Sequence, residues 1–156
     1  MGQPKGLAAI SIASTLGVGL LPVAPGTWGS LVAIPLLLGL SSLSQSVLVS
    51  AVAIVLLCII GVWAIDHLPA SWAHDDGRIV IDEVIGMMIT MLLLPMDWKT
   101  LLIGFIAFRA FDIAKPLGIR RFDRLESSWS VLLDDIVAGI YANILIRGLF
   151  IALGWT

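Results

Sequence analysis

"LVAIPLLLGLSSLSQSVLVSAVAIVLLCIIGVWAI", residues 31–65, decides the fold: two apolar runs flank a short polar "SSLSQ", and no Asp, Glu, Lys or Arg occurs in it. The region free of those residues is wider still, from Gly6 to Ile65. That is about three times the ~20 residues a helix needs to cross a bilayer. Two antiparallel spans joined at residues 41–45 follow from this, with Pro35 near the start of the first or kinking it. The whole chain agrees: 59% of its 156 residues are hydrophobic and 13% charged, with a mean hydropathy of +1.04, whereas soluble proteins carry about 25% charged residues. The chain reads as an integral membrane protein of one domain, residues 1–156.

Several function classes drop out at once. A net charge of -2 and no RNA- or DNA-binding motif leave no basis for nucleic-acid binding. The single cysteine, Cys58, lies inside an apolar run, so it forms no intrachain disulfide or cysteine metal cluster and is expected to pack. The apolar segment after Lys5 is broken by Gly17, Gly19, Pro22 and Pro25, and further apolar stretches follow, so it is expected to be retained rather than cleaved.

Outward from the two spans, "LAAISIASTLGVG" reads as an N-terminal helix at, or re-entering, the membrane surface, and "GVGLLPVAPGTWGS" as a glycine- and proline-rich loop. "VIGMMITMLLL" and "TLLIGFIAFRAFDIA" are two short spans around the turn "PMDWK", and "VLLDDIVAGIYANILIRGLFIALGW" is a last long helix. The predicted fold is an all-α, polytopic membrane bundle with about four to five embedded helices. Counting loops puts residues 14–30, 66–83 and 115–130 on one side, together with Arg78, Lys115, Arg120, Arg121 and Arg124. The positive-inside rule makes that side cytoplasmic.

Charges near such spans need a reason, because an acid at the centre of a membrane helix costs about 2.5 to 3.5 kcal/mol on the translocon-insertion scale. Asp82 and Glu83 stand beside apolar residues at the start of one short span. Arg109 and Asp112 are spaced i, i+3 and can pair within one helix, with Lys115 one turn on. Asp135, Gly139 and Asn143 recur at i, i+4 and i+8, beside Asp134, Ala138 and Ala142. The small residues admit a neighbouring helix closely. Acidic residues near a helix start also answer the macrodipole, so capping is the plain alternative for Asp82/Glu83 and for Asp134/Asp135.

Together Asp82, Glu83, Asp112, Asp134 and Asp135 supply five carboxylates at the ends of three predicted helices. Hard oxygen ligands without nearby Cys or His suit Mg²⁺, or Mn²⁺, rather than zinc. Mg²⁺ keeps several waters and is completed by phosphate oxygens, so a phosphorylated substrate is expected, with Arg109, Lys115 and Arg120 as phosphate ligands. Arg121 and Arg124 read as topology-setting or head-group contacts. In "APGTWGS", which lacks the Lys of a P-loop, Thr27 and Ser30 either hold an anion or cap the following helix. His67 and His74 read as interfacial polar residues.

"GLLPVAPGTWGSLVAIP", "HDDGRIVIDEVIG", "FRAFDIAKPLGIRRFDR" and "LLDDIVAGIYAN" occur in an order and spacing that resemble the bacterial phosphatidylglycerophosphatase A family, from about Gly17 to Asn143. The resemblance implies a Mg²⁺-dependent lipid phosphatase of the bacterial cytoplasmic (inner) membrane, converting phosphatidylglycerophosphate to phosphatidylglycerol. It implies that Asp82 and Glu83 are the acidic pair, that Arg109, Asp112, Lys115 and Pro116 form the second motif, and that Asp134, Asp135, Ala138 and Gly139 form the third. Asp75 and Asp123 also match acidic positions. Expected catalytic residues are Asp82, Glu83, Arg109, Asp112, Lys115 and Asp135. Either water or a carboxylate is the nucleophile.

Rival readings are a small ion-coupled transporter, which would show repeated halves, and a non-catalytic scaffold, which leaves the carboxylates unexplained. A CDP-alcohol phosphotransferase would carry a "DG..AR" pattern, which is missing here. Oligomeric state is left open by the sequence.

Overall fold

A computed structural model describes residues 4–44, 46–72, 76–116 and 127–155. Among them are six α-helices, one 3-10 turn at Val18–Leu20, and no strand. The helices are α1 (Pro4–Ala13), α2 (Pro25–Leu43), α3 (Val47–Asp66), α4 (Ile81–Met91), α5 (Trp98–Ala114) and α6 (Ser128–Leu153).

Three of these are long and apolar enough to cross a membrane: α2 with 19 residues, α3 with 20 and α6 with 26. At 1.5 Å per residue, α6 measures about 39 Å, close to a bilayer with its head groups. By contrast α4 has 11 residues and reaches about 16 Å, half of the ~30 Å hydrocarbon layer. The expected four to five embedded helices are therefore three of spanning length, with α4 and α5 as shorter elements packed among them.

Short as it is, α4 is the hub of the bundle. It packs against α2, α3, α5 and α6, and every residue in it except Glu83 and Ile89 is buried. Glycines bring the neighbours in: a Cβ on Gly139 of α6 would stand 2.5 Å from the Gly86 carbonyl oxygen, and one on Gly104 of α5 would stand 2.5 Å from Met91 Sδ. This close approach substitutes dispersion contact for the hydrophobic drive that lipid does not supply. Outside the hub, α3 leaves Val52, Val55, Leu56 and Ile59 exposed, a surface suited to lipid tails.

Two boundaries differ from expectation. The segment "PGTWGS" is helical, because Pro25 takes the first position of α2, where its missing N–H costs nothing. Pro35 consequently lies inside α2 rather than at its start, and the helix runs on to Leu43, leaving only residues 44–46 before α3. At the other end of the chain α6 begins at Ser128, with the Ser127 hydroxyl accepting from the Ser130 amide, 3.3 Å. Asp134 and Asp135 thus lie beyond its first turn, so the capping account does not hold for that pair. Asp82 and Glu83 do occupy the first turn of α4.

The N-terminal segment braces the start of α4. Val80 donates its amide to the Ala13 carbonyl at 2.9 Å, and Gly19 sits so close to Arg78 that a Cβ would meet its carbonyl oxygen at 1.9 Å. Exposed tryptophans mark both ends of the bundle, Trp28 and Trp129 at one and Trp98 and Trp155 at the other, as aromatic belts do in bilayers.

At that second end Asp97 caps α5, accepting from the Thr100 hydroxyl at 2.6 Å and from the amides of Lys99 and Thr100 at 2.9 and 3.1 Å. The Thr100 hydroxyl, followed by its amide, holds the Asp97 carboxyl below its ordinary range. A lowered folded-state pKa means stability that is full above the ordinary carboxylate range and lost as pH falls through the lowered value. Thermal midpoints of the wild type and Asp97→Asn should therefore differ at neutral pH and converge in acid.

Candidate active site

One end of the bundle gathers the start of α2, the start of α4, the end of α5 and the early turns of α6. Carboxylate oxygens of Asp82, Glu83 and Asp135 lie within 4.8 Å of one another. Asp82 is 9% and Asp135 3% exposed. Asp82 Oδ1 accepts the Glu83 amide at 3.1 Å, whereas Glu83 Oε2 and Asp135 Oδ2 are buried without a hydrogen-bond partner. Three acids this close repel one another, and an unsatisfied buried carboxylate oxygen is costly. A cation removes both penalties. The donors are oxygen only, the chemistry of a hard divalent ion such as Mg²⁺.

Arg109, on α5, bonds Asp112 through NH1, which also lies 4.0 Å from Glu83 Oε1. The i, i+3 pair expected from the sequence is present, and it leans on α4 as well. Asp112 also adjoins Asp135. Arg109 Nε is buried with no partner, leaving one edge of the guanidinium uncommitted. Asp134 meets Lys115, Oδ2 to Nζ 2.5 Å, and its Oδ1 accepts the Asp135 amide at 3.0 Å. Of the five expected metal ligands, three therefore form the tight group among the described residues, while Asp112 and Asp134 stand beside it, each on a cation.

The start of α2 completes the enclosure. Neither Thr27 nor Ser30 caps it; Ala24, in a left-handed conformation, is the residue before the helix and makes no side-chain cap. Ser30 is buried and donates its hydroxyl to the Gly26 carbonyl, 2.9 Å, so it faces the backbone of its own helix instead of an anion. Thr27 is half-buried in the first turn of α2. Gly26 matters by having no side chain: a Cβ there would stand 2.1 Å from Glu83 Oε1 and 3.2 Å from Arg109 NH1. Arg120, expected to hold phosphate, lies outside the described residues, as do His74, Asp75, Arg121, Asp123 and Arg124.

Residues 11–150 match the family model described as phosphatidylglycerophosphatase A. The chain belongs to that family. It is similar to phosphatidylglycerophosphatase A of Escherichia coli K12, with 41% identity over 143 residues, 90% of this chain and 80% of that protein. It is similar to phosphatidylglycerophosphatase A of Haemophilus influenzae Rd, with 38% identity over 139 residues, 86% and 84% of the two chains. A Bacteroides thetaiotaomicron protein named "Putative phosphatidylinositol-3-phosphatase" is 36% identical over 152 residues, 94% of this chain and 95% of that one. No solved structure matches at comparable significance. The phosphatidylglycerophosphatase A relatives support the expectation that this member is an enzyme, a phosphatase.

Proposed function

We propose that this phosphatase removes the terminal phosphate of phosphatidylglycerophosphate, leaving phosphatidylglycerol, in a Mg²⁺-dependent reaction at the cytoplasmic face of a bacterial inner membrane. The observation that carries the reading is the tight group of Asp82, Glu83 and Asp135 with two buried, unpartnered oxygens. It stands beside Arg109 at one end of helices long enough to cross a bilayer. A phosphate at head-group level on a membrane lipid reaches such a site without leaving the membrane, and the exposed Trp28 and Trp129 suit that level.

Asp82, Glu83 and Asp135 would hold Mg²⁺. When bound, the ion would polarise the phosphoryl group and lower the pKa of a water. Arg109, anchored by Asp112, presents its uncommitted edge to the phosphate oxygens and offsets the charge they carry in the transition state. Lys115, held on Asp134, adds positive charge at the end of α5. In the hydrolysis a water oxygen bonds to phosphorus, a carboxylate takes its proton, and the glycerol oxygen leaves with the bonding pair and is protonated. Trapping of a phospho-enzyme would instead assign one carboxylate as nucleophile.

The test is phosphate release by purified protein from vesicles carrying phosphatidylglycerophosphate, phosphatidylinositol 3-phosphate or neither, with soluble glycerol phosphate as a further arm. Release from phosphatidylglycerophosphate that exceeds the other arms supports the reading. A preference for the inositol lipid moves the substrate to that suggested by the Bacteroides relative's name, and no release from either lipid defeats it.

A further inference from the structure

Helices α4 and α6 run parallel, and their side chains come level at steps of four. Asp82 and Glu83 meet Asp135, Gly86 meets Gly139, and Thr90 meets Asn143. One more step along α6 stands Arg147. Its position explains a problem that α4 creates. A helix of about 16 Å that starts at a membrane face ends at mid-depth, where its last carbonyls find no water and each unsatisfied group costs several kcal/mol.

Asn143 and Arg147 answer those carbonyls. Asn143 Nδ2 donates to Thr90 O at 2.8 Å and to Leu92 O at 2.9 Å. Arg147 NH2 donates to Leu92 O at 3.0 Å, and its Nε donates to Asn143 Oδ1 at 2.8 Å, which fixes the amide's orientation. Along the same seam Thr90 Oγ1 donates to Gly86 O at 2.9 Å. A slip of α4 by one residue would move it about 1.5 Å and turn it by about 100°. That would break this set of bonds and carry Asp82 and Glu83 away from Asp135 together.

We propose that Asn143 and Arg147 are positioning residues of the acidic site: by capping the buried end of α4 they lock its register on α6, and so hold Asp82 and Glu83 level with Asp135 for a divalent cation. The proposal rests on the cation-site reading above and adds residues at the opposite end of α4 to it. They touch neither substrate nor ion. Their contribution is to the geometry of the carboxylates, the role that hydrogen-bonded support plays around metal ligands generally.

The probe is Mn²⁺ alone, its free concentration read by electron paramagnetic resonance in titrations of the detergent-purified full chain. Asn143→Leu and Arg147→Met should each raise the Mn²⁺ dissociation constant about tenfold, the lower end of the range for lost ligand support, in protein whose helical content is unchanged. Asn143→Gln and Arg147→Lys, which keep a donor, should recover part of that loss. Gly148→Ala on α6, where a Cβ meets nothing within 4 Å, should bind as the wild type does. Wild-type affinity in folded Asn143→Leu and Arg147→Met overturns the proposal; if Asn143→Leu does not fold, the two Arg147 variants decide it. Absence of Mn²⁺ binding by the wild type overturns the cation-site reading itself, and the proposal with it.

Discussion

Asp135→Asn should cut phosphate release by about 10³-fold, equivalent to about 4 kcal/mol of transition-state stabilisation, and leave the bundle folded. Asp135 Oδ2 is buried without a partner, and the residue is 3% exposed. Replacing the carboxylate with an amide of the same shape removes charge from the centre of a crowded acidic group, so the apo protein gains stability or stays level. A merely structural Asp135 predicts the reverse pattern: a lower thermal midpoint with activity per folded molecule preserved. Measuring both quantities on the same preparation separates the two. Asp82→Asn and Glu83→Gln should behave alike, because each supplies an oxygen to the same group.

The second large effect concerns a residue with no side chain. Gly26→Ala would place a methyl carbon 2.1 Å from Glu83 Oε1, well inside contact distance, and the colliding atom is the far end of a flexible side chain. Glu83 swings aside, so the fold survives while a carboxylate leaves its place beside Asp82 and Asp135. Activity should fall about 10²-fold, the penalty expected for a misplacement near 1 Å, with little change in thermal midpoint. Gly139→Ala is the contrast: its methyl would stand 2.5 Å from the Gly86 backbone oxygen, where only a shift of whole helices gives relief, so that variant should lose about 1 to 3 kcal/mol of stability. Phosphate release and thermal unfolding of the pair together show which glycine serves the site and which serves the packing.

Much of this arrangement was legible in the sequence because charge is rare in it. The absence of Asp, Glu, Lys and Arg from Gly6 to Ile65 marks α2 and α3 by length alone. The few ionisable residues that remain, among them Asp82, Glu83, Arg109, Asp112 and Asp135, stand out as candidates and do come together. Three things escaped it for physical reasons. Glycine and proline in "APGTWGS" signal a loop, yet Pro at the first helical position and glycine against a carboxylate are equally good uses of those residues, and only the neighbour across the bundle decides. The depth of α4 depends on where its carbonyls find donors, which is a property of α6. Asp134 and Asp135 are adjacent in sequence but point to different partners, Lys115 and the acidic group, because neighbouring helix positions differ by about 100° in direction.

The direct test of the central claim is phosphate release from phosphatidylglycerophosphate vesicles as free Mg²⁺ is raised from zero in chelator to saturation. The account predicts no release in chelator, a saturating rise for the wild type, and a flat response near zero for folded Asp82→Asn, Glu83→Gln and Asp135→Asn. Full release in chelator, or wild-type activity in those three variants, would contradict it.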